Sequence, residues 1–93
     1  NAHLIEHLEE GLAVATKRLS SLKKRVASAA KEARTEWHAD VEKLGKLRDA
    51  LRIKVADLRA HGEETTNKAR EQAERIWQEI NETMHRVAER VRH

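Results

Sequence analysis

Apolar residues recur along this chain at helical spacing. Leu8, Leu12, Ala15, Leu19, Leu22, Val26, Ala29 and Ala33 follow one another at alternating steps of four and three, the heptad seam of a coiled coil. The seam continues through Trp37, Val41, Leu44, Leu47, Leu51, Val55 and Leu58. Its extra steps of four relax the supercoil locally, as stutters do. Between 12 and 60 the only helix breaker is Gly45, and a lone glycine costs about 1 kcal/mol against alanine in a helix interior. This pattern predicts one long helix over about 4–60.

The strongest break in the pattern is Ala60-His61-Gly62-Glu63-Glu64-Thr65-Thr66-Asn67. Glycine suits the left-handed position just past a helix end. Arg59 and His61 place cations in the last turn, and Glu63 and Glu64 place acids at the next start, both favourable to the helix dipole. The threonines and Asn67 are good caps and poor interior residues. Beyond the joint, Ala69, Ala73, Ile76, Ile80, Met84, Val87 and Val91 repeat the helical spacing. Glu64–Lys68, Glu71–Arg75 and Glu82–Arg86 are acid-first i,i+4 pairs, each adding a few tenths of a kcal/mol. A second helix over about 64–92 follows.

A turn near Gly62 makes an antiparallel hairpin in which Leu44 faces Ile80, Leu51 faces Ala73, Val55 faces Ala69, Trp37 lies near Val87 and Trp77 faces Leu47. The short arm ends near residue 32, so residues 4–31 overhang with an uncovered seam. Either a second copy covers it, or the long helix breaks near Ala33 and folds back into a three-helix bundle. Ala27–Glu36 contains no Gly, Pro or Asn, which speaks for the continuous helix.

Composition narrows the classes further. The 93 residues contain no proline, no cysteine, three glycines and two aromatics, Trp37 and Trp77. That excludes a turn-rich β sandwich or barrel, a disulfide framework and thiolate metal sites. No apolar run approaches a membrane span. The nine Leu, four Ile, six Val, one Met and two Trp make a thin core, at roughly 1.5–3 kcal/mol per fully buried side chain, against the entropy of ordering the chain. Association with a second copy is expected on that ground as well. Asn1-Ala2 reads as the remnant of a cleaved tag. On that reading the natural sequence starts at His3 and is an internal piece, one whose signal or anchor segment could have been removed.

The stretch from Trp37 to Val87 carries Lys43-Leu44, Leu47-Arg48-Asp49-Ala50, Lys54, Leu58, Gly62-Glu63 and Ala73-Glu74-Arg75-Ile76-Trp77. In these residues it resembles a family of small bacterial coiled-coil proteins, some described as stress-response proteins and otherwise of unknown function. The chain departs from that pattern at the joint, where Thr65 and Thr66 stand in place of a common aromatic. The resemblance covers about half the chain and implies a coiled-coil hairpin with no known catalytic residues.

Charge is uneven. The net charge of +3 resolves into +3 over residues 1–31, +1 over 32–62 and −1 over 63–93. Between Gly11 and Lys31 stand Lys17, Arg18, Lys23, Lys24, Arg25 and Lys31, with no acid. A basic amphipathic helix of this kind tracks phosphates, lies on anionic lipid or meets an acidic protein. An ordinary solvated face beside a seam is the plainer reading. The run has no interleaved aromatic for base stacking and no aromatic lipid anchor.

His3–His7 and the row His85, Glu89, His93 have metal-ligand spacing on a helix. Two ligands bind weakly unless another chain completes the shell, and solvated surface histidines are the plainer reading. His38 and His61 stand alone. Glu9-Glu10 and Glu63-Glu64 pair carboxylates, but acid–base catalysis needs a pocket, and a helical rod offers none. Ser20, Ser21 and Ser28 lack a base, and there is no glycine-rich phosphate loop.

The sequence therefore predicts one all-α domain over 1–93, a long helical hairpin or coiled coil, with a three-helix bundle as the alternative. It predicts a non-enzymatic structural or interaction module without cofactor or metal. That module would self-associate as a dimer through the 4–33 seam of Leu8, Leu12, Leu19, Leu22 and Val26. Flanking charges would choose the partner, among them an acidic protein such as another copy's Glu-rich C-terminal helix. The alternative is an anion-binding module acting through Lys17, Arg18, Lys23, Lys24 and Arg25 on nucleic acid or an anionic membrane surface. A metal-binding helical protein is the weaker third reading.

Overall fold

The seam finds its cover inside the chain. In a computed structural model that describes residues 2–64 and 66–92, helix α1 spans Ala2–Ser28, α2 Lys31–His61 and α3 Asn67–Arg92, with a single 3-10 turn at Gly62–Glu64. Every described residue except Ala29, Ala30 and Thr66 is helical. The three helices form an antiparallel up-down-up bundle measuring 49 × 18 × 17 Å. The all-α class, the turn near Gly62 and the helix that follows are as the sequence predicts. Of the two arrangements that the overhang left open, the chain takes the three-helix bundle.

The expected continuous helix over 4–60 is interrupted at Ala29-Ala30, a few residues before Ala33. The reason is burial. Leu8 and Leu19 are 0 % and 1 % exposed. At roughly 1.5–3 kcal/mol each, covering these two leucines and Ala15 outweighs the helical preference of two alanines. Nothing local marks the break. Ala30 has an extended backbone (φ −61°, ψ 153°) and provides no side-chain cap. Ser28 Oγ donates back to the carbonyls of Lys24 (3.1 Å) and Arg25 (3.2 Å), and the Ala29 amide to the carbonyl of Val26 (3.2 Å).

The joint after α2 is built differently. Gly62 has φ +55° and closes α2 through its amide to the carbonyl of Leu58. Thr66 Oγ1 accepts the amide of Ala69 at 3.2 Å, an N-cap bond for α3. Thr65 lies outside the described residues, as do Asn1 and His93.

One core runs along the bundle, with Leu8, Ala15 and Leu19 from α1, Val41, Leu44, Leu51, Val55 and Leu58 from α2, and Ala73, Ile80 and Met84 from α3. Two polar residues enter it. Thr83 is satisfied by donating to the carbonyl of Glu79 (2.8 Å), and Asp40 by accepting from Arg90 (2.7 Å). α2 is the central element, because α1 packs less closely on α3 than either packs on α2.

Candidate functional site

The seam fixes which way α1 faces. With Leu8, Ala15 and Leu19 turned inward, a helix of 3.6 residues per turn carries Lys17 and Lys24 to the side away from the core. Arg18 and Arg25 fall on the flank toward α3, and Lys23 on the flank toward α2. All five are exposed. Arg18 lines a groove between α1 and α3, and Lys23 lines one between α1 and α2. The basic run is thus a band around the outside of α1. Lys31 belongs to the start of α2.

Arginines hold several carboxylates outside this band. Asp40 is held by Arg90 at 2.7 Å and Arg86 at 3.9 Å. Asp49 is held by Arg48 at 2.9 Å and Arg52 at 3.9 Å, and Glu9 by Arg59, while His38 Nε2 lies 3.7 Å from Glu42. Among the described residues, Lys17, Arg18, Lys23, Lys24 and Arg25 make no ion pair. These cations are exposed, and their mutual repulsion is relieved by any polyanion that lies along the helix.

The α1–α3 groove, about 330 Å3, is lined by His7, Glu10, Val14, Arg18, Trp77 and His85 among others. Its floor depends on Gly11. A Cβ there would lie 2.7 Å from the Trp77 ring, so the glycine admits the indole against the α1 backbone. His7 meets the same ring edge to face, with centroids 6.2 Å apart and planes at 86°. Trp77, expected opposite Leu47, stands against α1. The α1–α2 groove, about 440 Å3, includes Lys23, His38, Glu42 and Asp49.

The oligomer seam is covered within one chain. Leu8 and Leu19 are buried, while Leu12, Leu22 and Val26 are half-buried and packed on the core. Self-association through it would have to exchange these contacts between chains rather than add to them.

Among the described residues, no three His, Asp or Glu side chains gather as a metal ion requires. His3 and His7 are exposed, with His7 engaged by Trp77, and the row from His85 ends at His93, outside the described residues. Glu9 is tied to Arg59 rather than paired with Glu10 for proton transfer.

Sequence reasoning located the basic band but missed two contacts. The sequence marks Gly11 only as a boundary of the basic run, and its role depends on where α3 places Trp77. Asp40 precedes Val41 of the seam, and its helical spacing to Trp37, Leu44 and Leu47 is the signal that it faces inward. No protein-family model matches the chain, and neither a curated protein nor a solved structure matches it.

Proposed function

We propose that this chain is a non-enzymatic helical interaction module whose working surface is the basic band of α1, which holds polyanionic partners by charge rather than by sequence. The carrying observation is that five exposed cations between Gly11 and Lys31 have no acid among them and no ion pair within the described residues. Elsewhere on the bundle, arginines hold Asp40, Asp49 and Glu9. The band lies on the convex outer side of one helix. It offers neither a recognition element for base edges nor a stacking aromatic, so contact with a phosphate backbone is the chemistry that it suits.

The test is binding of fluorescently labelled single- and double-stranded DNA across a salt series, beside co-sedimentation with phosphatidylserine and phosphatidylcholine vesicles. Binding should weaken linearly in log Kd against log salt, with a slope that scales with the phosphates contacted. Lys17→Glu plus Lys24→Glu should flatten that slope by about two contacts and leave the circular dichroism of the bundle unchanged. Vesicle binding without DNA binding moves the function to a membrane surface. Salt-independent affinity, or full affinity in the double variant, sinks the reading.

A further inference from the structure

The joint between α1 and α2 conflicts with its own sequence. Lys24–Ala33 contains no glycine, proline or asparagine, and its two non-helical residues are alanines, the best helix formers. α2 starts without a side-chain cap, so the first amides of α2 and the last carbonyls of α1 lack the helical partners that a straight helix would give them. No residue at the joint has a positive φ, so no residue type holds the bend.

The apolar seam also crosses the joint in phase. Val26, Ala29, Ala33 and Trp37 keep helical steps of three, four and four. All four are half-buried in the bent form. Straightened, residues 2–61 would form one helix with the inward faces of α1 and α2 on the same side. α1 would then leave its own α2 and α3. The surface that it vacates is shaped for one object only, another copy of α1.

We propose that the chain exchanges α1 between two copies. The Ser28–Ala30 joint straightens, and each α1 docks on the partner's α2 and α3 with the contacts that it makes within the bundle. Leu8, Ala15 and Leu19 stay buried, Gly11 receives the partner's Trp77, and Glu9 pairs with the partner's Arg59. Every contact of the monomer is kept, and the bend alone is removed. Short, unsupported joints of this kind favour exchange. The inference is independent of the basic band, although the dimer would carry two bands.

The lock on the bent form is Lys31→Pro. Residue 31 is the first of α2, where proline's missing amide is no loss. Ala30 already has the extended backbone that a residue before proline prefers. In a straight helix the same proline would sit in the interior, where it breaks the ladder. Wild-type and Lys31→Pro proteins are refolded at high concentration and analysed by light scattering and small-angle X-ray scattering. Wild type should give a dimer with a maximum dimension of about 90 Å, the length of a 60-residue helix at 1.5 Å per residue, against 49 Å for the bundle. Lys31→Pro should remain a folded monomer.

A second readout does not depend on that variant. Glu9→Cys chains are mixed with Arg59→Cys chains, refolded together and treated with a short bismaleimide. The protein has no cysteine of its own, so a crosslink between the two kinds of chain, absent in the Lys31→Pro background, reports exchange. Monomer at every concentration overturns the proposal. So does a dimer that persists with Lys31→Pro, or one that lacks the crosslink, since either is a side-by-side pair.

Discussion

The two joints of the bundle have little in common beyond reversing the chain. The joint after α2 is specified locally. Gly62 adopts φ +55°, which side-chain-bearing residues rarely enter, and Thr66 caps α3. The joint after α1 is specified by nothing within it. Two alanines bend there because Leu8, Ala15 and Leu19 must be covered. One turn is a property of its residues, the other a property of the whole fold. The first should persist when tertiary contacts are lost, and the second should not.

Substitutions can break or sharpen this contrast. The largest effect is expected at Gly62. Nothing lies within 4 Å of a Cβ built there, so Gly62→Ala introduces no clash and tests the backbone alone. It should destabilise the chain by about 1–3 kcal/mol, read as a lower urea midpoint with unchanged m. Thr66→Ala removes the cap of α3 and should cost about 1 kcal/mol in the same titration. Ala30→Asp runs the other way. It gives α2 the cap that it lacks and should raise the urea midpoint by the equivalent of about 0.5–1 kcal/mol. If Ala30→Asp lowers stability while Gly62→Ala is silent, the contrast between the joints is wrong.

The contrast also explains what the sequence made legible. The turn near Gly62 could be read because glycine, threonine and the flanking charges act over a few residues. All three inward faces could be read as well, since helical spacing is local. The break at Ala29-Ala30 could not, because its cause is a competition between the α1 seam and a surface assembled from α2 and α3. The sequence only narrowed it to two arrangements, by showing that residues 4–31 outrun the short arm. The same division holds for the site. Lys17, Arg18, Lys23, Lys24 and Arg25 announce themselves by the absence of acid around them. Gly11 under Trp77, and Asp40 between Arg86 and Arg90, depend on how α3 lies along its neighbours.

The seat of Trp77 on Gly11 has an optical consequence. The chain's two indoles report on different interfaces. Trp77 is covered by the backbone of α1, while Trp37 lies at the other end of the bundle beside Glu89 and Arg90 of α3. With Trp37 replaced by phenylalanine, emission comes from Trp77 alone and follows the docking of α1. Departure of α1 should shift that emission to longer wavelength and expose the ring to iodide, while the far-ultraviolet signal of the helices barely moves. The molecule thus contains its own dye for distinguishing a loosened helix from an unfolded chain.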